Sequence, residues 1–242
     1  MVEYVRVSVA MVTYNGEKFI REQLDSILTQ LTGQDEIVIS DDGSTDSTIA
    51  VLKEYQKKDK RVRIMNGPRA GIKKNVEYAL RQCKGQIIFL TDQDDIWNPN
   101  KVTQVLEVME QEKSMLVIHD AQVFQENPQQ VTMESFFAFR NARAGVCKNI
   151  VKNSYIGCCM AFRKEILKRV LPIPVRIEMH DQWIGILSDF YYGKSVFLQE
   201  PLLYYRRHGE NNSAMKHYGV AKMLRNRVVF GIYFLGRILH IC

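Results

Sequence analysis

Two glycine signatures of nucleotide binding are missing from this chain. Neither G-x-G-x-x-G nor G-x-x-x-x-G-K-[ST] occurs, so any bound nucleotide must be held by side chains and a metal rather than by a glycine loop. Cysteine offers no framework either. Cys83, Cys147, Cys158, Cys159 and Cys242 form no C-x-x-C pair and no zinc spacing. An odd, scattered set points to reduced thiols and a cytosolic compartment. Long apolar runs are absent: residues 228–239 are the longest nearly apolar segment, too short to span a bilayer and interrupted by Arg237. Glu3 and Arg6 sit inside the first apolar stretch with no small-residue cleavage site, and we read no signal peptide. Basic charge is modest, 33 Lys+Arg against 27 Asp+Glu for a net +6. The cations form no dominant patch interleaved with aromatics, which argues against a nucleic-acid binder. No internal repeat and no low-complexity tract is found.

What the chain does have is alternation. Its 242 residues, 46% hydrophobic and 25% charged, suffice for one large α/β domain with a sizeable core. Residues 5–13 are rich in β-branched side chains and predict a buried strand, broken at Tyr14-Asn15-Gly16. Phe19, Ile20, Leu24, Ile27, Leu28 and Leu31 then recur at helical spacing. Residues 36–40, 62–65, 87–91 and 115–119 predict four more strands with helical patterns between them. Strand alternating with helix in this way predicts a mostly parallel central sheet flanked by helices. Regularity stops near Asp120. Residues 121–153 are long, polar and proline-interrupted, a length of loop that is usually functional or mobile. Order returns with a strand expected at 155–162 and a helix over 184–190.

The most informative stretch is Gln86 to Trp97. An apolar strand ends in Asp92, Asp94 and Asp95, three carboxylates within four residues, and Pro99 then opens a helical pattern with Asn98 before it. A buried strand that delivers carboxylates to its carboxyl end places negative charge where open α/β sheets bind ligands. Such carboxylates repel one another unless a cation is shared. Mg²⁺ and Mn²⁺ prefer oxygen ligands of this kind and bridge them to substrate phosphates. A second acidic loop, Asp41-Asp42-Gly43-Ser44, follows another strand in the same half of the chain. Together these features are what a metal-dependent sugar transferase needs.

Val12-Thr13-Tyr14-Asn15, Asp41 to Asp46, Thr91-Asp92-Gln93-Asp94-Asp95, His180-Asp181-Gln182-Trp183 and Arg206-Arg207-His208 occur in that order. Spanning about residues 7–213, they resemble the inverting family 2 glycosyltransferases of the nucleotide-diphospho-sugar transferase (GT-A) fold. The Asp-Gln-Asp-Asp-Ile-Trp form is similar to bacterial members that build surface polysaccharides, including rhamnosyltransferase-like ones. The resemblance implies a catalytic domain over 1–213 and a C-terminal basic segment over 214–242. It implies a UDP- or dTDP-sugar donor touched by Thr13, Tyr14, Asn15, Asp42, Lys74, Asn75, Asp92 and Asp94. Within that set Tyr14 would lie against the base, Asp42 would accept a hydrogen bond from it, and Asp92 would contact the ribose. Asp94 and His208 would hold Mn²⁺ or Mg²⁺. Gly157, Cys158, His180 and Trp183 would face a glycan or polyprenyl-linked glycan acceptor.

Asp181 is the expected catalytic base. A nucleoside diphosphate leaves readily once a cation neutralises its developing charge, whereas a sugar hydroxyl needs its proton removed during attack. One carboxylate opposite the leaving group therefore gives in-line displacement with inversion. The usual family residue before this Asp is Glu, and His180 replaces it here. Each assignment has a plainer counterpart: Trp183 as a buried helix anchor, Cys158 and Cys159 as small buried residues, Lys74 and Asn75 as a helix start. Residues 216–242 combine Lys222, Arg225, Arg227 and Arg237 with large apolar side chains. If helical, they could lie on a membrane surface at its cytoplasmic face, pack on the catalytic domain, or form a homodimer contact. A non-catalytic nucleotide- or glycan-binding protein on the same fold is the rival reading.

Overall fold

The computed structural model describes residues 5–193, 195–209 and 219–239. Glu3, Cys242 and the boundary expected between residues 213 and 214 lie outside that set. Four strands, β1 (Val7–Thr13), β2 (Asp35–Asp41), β3 (Val62–Asn66) and β4 (Ile87–Thr91), run parallel in the order β3-β2-β1-β4. The crossovers are α1 (Ile20–Leu28), α2 (Thr48–Lys58) and α3 (Ile72–Gln82). Helices on both faces leave β2 wholly buried, which is why it reads as a run rather than an alternation. On α1 the inward stripe is Ile20, Leu24 and Ile27, none of them exposed.

Past β4 the parallel order ends. β8 (Met160–Arg163) pairs antiparallel with β4 on one side and with β6 (Leu116–Phe124) on the other. β9 (Val196–Arg206) runs parallel to β6, and β5 (Ile96–Trp97) is antiparallel to β9 at the sheet's edge. The fifth strand expected from the sequence is β6, displaced one place from β4. A strand from beyond the irregular region fills the gap. The strand expected at 155–162 is shorter, since Gly157–Cys159 forms a 3₁₀ turn before β8.

Residues 121–153 are not structureless. β6 continues to Phe124, and β7 (Val131–Met133), α5 (Phe136–Arg140) and α6 (Val146–Val151) follow. Two buried carboxylates fasten this region at either end. Asp120 accepts the backbone N–H of Ala121 (2.7 Å) and Phe137 (2.8 Å) and the hydroxyl of Ser135. Asp189, on α8 (His180–Tyr192), accepts Gly145 N–H (2.8 Å), Tyr155 O–H (2.6 Å) and both the N–H and hydroxyl of Ser195 (2.7 and 2.6 Å). Hydrogen bonding on this scale offsets the cost of taking a carboxylate out of water.

The C-terminal segment is helical as α9 (Val220–Ile238) and packs on its own domain. Phe230 meets Trp183 edge-on at 5.7 Å, and Phe234 meets Phe190 at 5.3 Å. Arg227 donates to the carbonyl of Val151 (2.7 and 3.1 Å), and Arg237 to those of Arg169 (2.7 Å), Leu171 (3.0 Å) and Pro172 (2.7 Å). Among the described residues no helix is long and apolar enough to cross a membrane.

Gly185 on α8 has no room for a side chain, because a Cβ there would overlap the Tyr155 ring. That ring cannot retreat, with its hydroxyl held by Asp189 and Phe197 at 5.9 Å. Gly185→Ala should therefore lower the unfolding free energy by about 1–3 kcal/mol. The loss would read as a lower urea midpoint at unchanged slope.

Candidate active site

The acidic loop leaves β4 on a rigid root. Gln23 of α1 donates to the Thr91 hydroxyl (2.6 Å) and the Asp92 carbonyl (3.0 Å), and the Trp97 indole donates to Thr91 (3.1 Å). Gln93 then fixes this loop to the one after β1. Its amide accepts Tyr14 N–H and donates to Tyr14 C=O, each at 2.9 Å. A side chain at Gly16 would take the space of that amide, so the glycine permits the clamp.

Crowded carboxylates dominate the electrostatics. Loss of water, then the charges of Asp94 and Asp181, push the Asp92 carboxyl up to about 7. Asp95 is fully buried and raised well above the ordinary range, again by loss of water first and its acidic neighbours second. Two cations answer this. Lys101, at the start of α4 (Lys101–Gln111), is wholly buried. Its ammonium donates to the Cys158 carbonyl (2.9 Å) and lies 4.1 Å from the centre of the Trp97 ring. Burial lowers its pKa to about 8, against the pull of Asp95 and Asp92. Arg206, at the end of β9, donates its backbone N–H to Asp95 (3.1 Å), its Nε to the Asp94 carbonyl (2.9 Å), and also pairs with Glu22. Its guanidinium lies between Phe19 and Phe124, 5.0 and 4.5 Å from the ring centres. Two residues on, His208 Nε2 is 2.8 Å from Asp94 Oδ2.

The loop after β2 is tied to the one after β1. Asp41 is spent on structure, accepting Gly43 N–H (3.0 Å), Ser44 N–H (2.8 Å) and the Thr13 hydroxyl (2.8 Å). Asn15 takes a left-handed backbone (φ 50°) and its amide oxygen accepts Thr45 N–H (2.8 Å). Asp42 accepts Gly71 N–H through Oδ2 (2.9 Å), while its buried Oδ1 has no hydrogen-bond partner among the described residues. Tyr14 stands 58% exposed beside this loop.

α8 begins with His180 and Asp181. Asp181 is buried, and its Oδ1 accepts Gln182 N–H (2.5 Å) and Asn153 Nδ2–H (3.3 Å). Loss of water raises it to about 6 despite those bonds. His180 is pushed down to about 4 by burial and then by Lys73, so its imidazole is neutral at pH 7. A Cβ on Gly157 would come within 3.2 Å of His180 Nε2. Asp92, Gly157 and His180 line one small cleft over Ala10, Val76 and Leu90. Asp181 does not line that cleft, but it lies beside Gly157 and near enough to Asp92 for its charge to raise that carboxyl.

Four expected contacts are corrected by burial. Trp183 is fully enclosed and donates to the Val170 carbonyl (2.8 Å), so it anchors α8 and offers no ring to a sugar. The Cys158 side chain is buried against Asp92 and Asp95 and presents almost no surface to an acceptor. Asn75 spends its amide on Ser40, accepting its hydroxyl (2.5 Å) and donating to its carbonyl (2.8 Å), which keeps it from a donor phosphate. The Thr13 hydroxyl is committed to Asp41 and supports the loop from beneath. Lys74 pairs with Glu77 at 3.0 Å and keeps its side chain 34% exposed. Lys101 and Arg206 do work that the motif reading assigned to no residue. Lys101 precedes Val105 and Met109 by four and eight positions, a spacing that puts it on the buried face of α4.

A metal has two places to consider. Asp92, Asp95 and Cys158 offer ligand atoms within 4.8 Å of one another. That cluster is buried against the Lys101 ammonium, and a dication beside it would be repelled. Asp94 Oδ2 and His208 Nε2, 2.8 Å apart, match the edge of about 3 Å between neighbouring ligands of an octahedral ion with 2.0–2.1 Å bonds. Oxygen and imidazole donors at that spacing fit a hard or borderline divalent ion.

A parallel half carrying acidic loops at its carboxyl edge, joined to a mixed half that brings in Asp181 and His208, is the GT-A arrangement of nucleotide-sugar transferases. S. aureus TarS, solved in complex with UDP-GlcNAc, superposes with a TM-score of 0.71 at 19% identity over 93% of this chain and 66% of that one. The mannosyltransferase PcManGT from Pyrobaculum calidifontis, solved with GDP-Man and Mn²⁺, gives 0.67 at 19% over 96% and 65%. Residues 8–171 match Glycosyl transferase family 2, and the chain belongs to that family. It is 29% identical over 217 residues to an uncharacterized glycosyltransferase of Nostoc sp., covering 86% of this chain and 66% of that protein. It is 26% identical over 193 residues to the Escherichia coli UDP-Glc:alpha-D-GlcNAc-diphosphoundecaprenol beta-1,3-glucosyltransferase WfgD, covering 76% and 70%. The chain spans about two thirds of the length of these relatives.

The raised Asp181 carboxyl has a cost in stability. Below about pH 4 it is protonated folded and unfolded alike. Between its unfolded value of 3.8 and its folded value of about 6, only the folded state holds the proton, so stability falls as pH rises. Asp181→Asn should be neutral below pH 4 and stabilising by about 1–3 kcal/mol at pH 7. Urea unfolding across that range checks it, and an unchanged difference at both ends would contradict a desolvated carboxyl.

Proposed function

We propose that this chain transfers a sugar from a nucleoside diphosphate to a hydroxyl of a glycan or lipid-linked glycan, with inversion at the anomeric carbon. The observation that carries this reading is Asp181, raised to about 6 and near enough to the acidic loop for its charge to act on Asp92. The acceptor hydroxyl gives its proton to Asp181 as its oxygen bonds the anomeric carbon. The bond from that carbon to the diphosphate oxygen breaks on the opposite side, and the nucleoside diphosphate departs. Tyr14 offers an exposed ring for stacking on the base, and Asp42 Oδ1 is a spare acceptor for a base N–H, as uracil or thymine would present. A divalent cation at Asp94 and His208 would supply the positive charge that a departing diphosphate requires. Mn²⁺ or Mg²⁺ suits that donor pair.

His180 stays neutral and can bind a sugar hydroxyl without repelling or attracting the diphosphate. The relatives lend support: TarS was solved with UDP-GlcNAc, PcManGT with GDP-Man and Mn²⁺, and WfgD is named for a diphosphoundecaprenol acceptor. A lipid-linked acceptor and reduced cysteines suit a role in surface-polysaccharide synthesis at the cytoplasmic face of the membrane.

Asp181→Asn should lower kcat by about 10²–10⁴-fold while donor affinity stays near the wild-type value. Asp94→Ala should instead abolish metal-dependent donor binding, read by calorimetry with UDP- and dTDP-sugars with and without Mn²⁺. The wild-type rate should rise with pH through about 6, as the Asp181 carboxyl loses its proton. Donor binding with no transfer to any glycan would make the chain a binding protein instead.

A further inference from the structure

α9 has a second face that the described residues leave uncovered. Its inner side is buried through Phe230 and Phe234. On the outer side Val220, Leu224, Val228, Ile232, Leu235 and Leu239 are each 54–67% exposed. Steps of four, four, four, three and four residues hold them within an arc of about 120° at 100° per residue. Single exposed leucines are ordinary, but a continuous apolar stripe along five turns marks an interaction surface.

Charge selects the occupant. Residues 219–239 contain Lys222, Arg225, Arg227 and Arg237 and no aspartate or glutamate. By helical position Arg225 adjoins the stripe at Ile232, where it would meet whatever covers that face. A second copy of α9 would bring one all-basic segment against another, whereas an anionic lipid surface gains from each cation. An apolar stripe bordered by basic side chains, on a helix too short and too charged to span, is the pattern of helices that lie in the bilayer interface. We propose that the outer face of α9 rests on an anionic bilayer surface, with the stripe dipping into the headgroup boundary. This stands on α9 alone and not on the transfer reaction.

The test is co-sedimentation of the full chain with vesicles of phosphatidylcholine, alone or mixed equally with phosphatidylglycerol. The chain should pellet with the mixed vesicles and much less with phosphatidylcholine alone. Arg225→Gln should weaken that binding about fivefold, the equivalent of one interfacial cation. The triple variant Leu224→Glu, Val228→Glu, Ile232→Glu should abolish it. All the altered side chains are solvent-facing, and circular dichroism and thermal unfolding of the variants establish that they fold. Absence of binding to either vesicle overturns the proposal, as does undiminished binding by the triple variant. A dimer in light scattering that this variant splits would assign the stripe to a second copy. Failure of a maleimide to label Leu224→Cys in vesicle-free protein would mean that protein already covers it. No sugar transfer is measured, so the outcome is independent of whether the catalytic reading holds.

Discussion

Three carboxylates at the end of one strand would push each other apart if the fold supplied nothing against them. Everything at the centre of this molecule follows from that repulsion. Lys101 approaches from beneath, buried and held by the Cys158 carbonyl and the Trp97 ring. Arg206 approaches from the far edge of the sheet and grips the loop by its backbone and by Asp95. Arg206 reaches the loop at the end of β9, and the turn before β8 supplies the Cys158 carbonyl that holds Lys101, so the irregular second half of the sheet bears on the charge of the first. Only the Asp94 side then faces outward with His208, leaving one direction from which a further cation gains. Gln93 extends the same rigidity to Tyr14. The two loops proposed to hold nucleotide and metal are thereby tied to one another.

Much of the first half was legible because its signals are local. β1, β2 and β4 are largely buried on both sides, and the helices between the strands carry inward residues at regular spacing. The acidic loops announced themselves by composition. What was not legible depended on partners distant in the chain. Nothing in Met160 to Arg163 says that this strand will slip between β4 and β6, because burial pattern specifies depth and not neighbour. Asp120 looks like a loop residue and Asp189 like an ordinary polar helix position until the N–H groups they serve are seen. Asn75 and Thr13 have the residue types of ligand contacts, yet each faces a strand-end partner that consumes its hydrogen bonds. Trp183 shows the same ambiguity in apolar form: an aromatic after a motif can serve a sugar or a core, and packing against Phe230 decides for the core. The missed lysine had a signal, a charge at a buried helix position, which is costly enough to demand a reason.

That packing also connects two regions the sequence keeps apart. α8 starts with His180 and Asp181, and a turn later Trp183 carries the weight of α9. The helix that meets α9 is thus the one that carries both residues. Burial keeps His180 neutral and raises Asp181.

The two anchors of the region after β6 have an evolutionary corollary. From Ala121 to Gly145 the chain is fastened to these carboxylates by the backbone N–H groups of Ala121, Phe137 and Gly145 and the hydroxyl of Ser135, and a backbone N–H is common to every residue but proline. The exposed side chains of that stretch can change without touching Gly157, His180 or Asp181, which lie beyond it. Descendants of this scaffold could exchange one glycan for another by replacing that patch wholesale, much as a tool changes its bit and keeps its chuck.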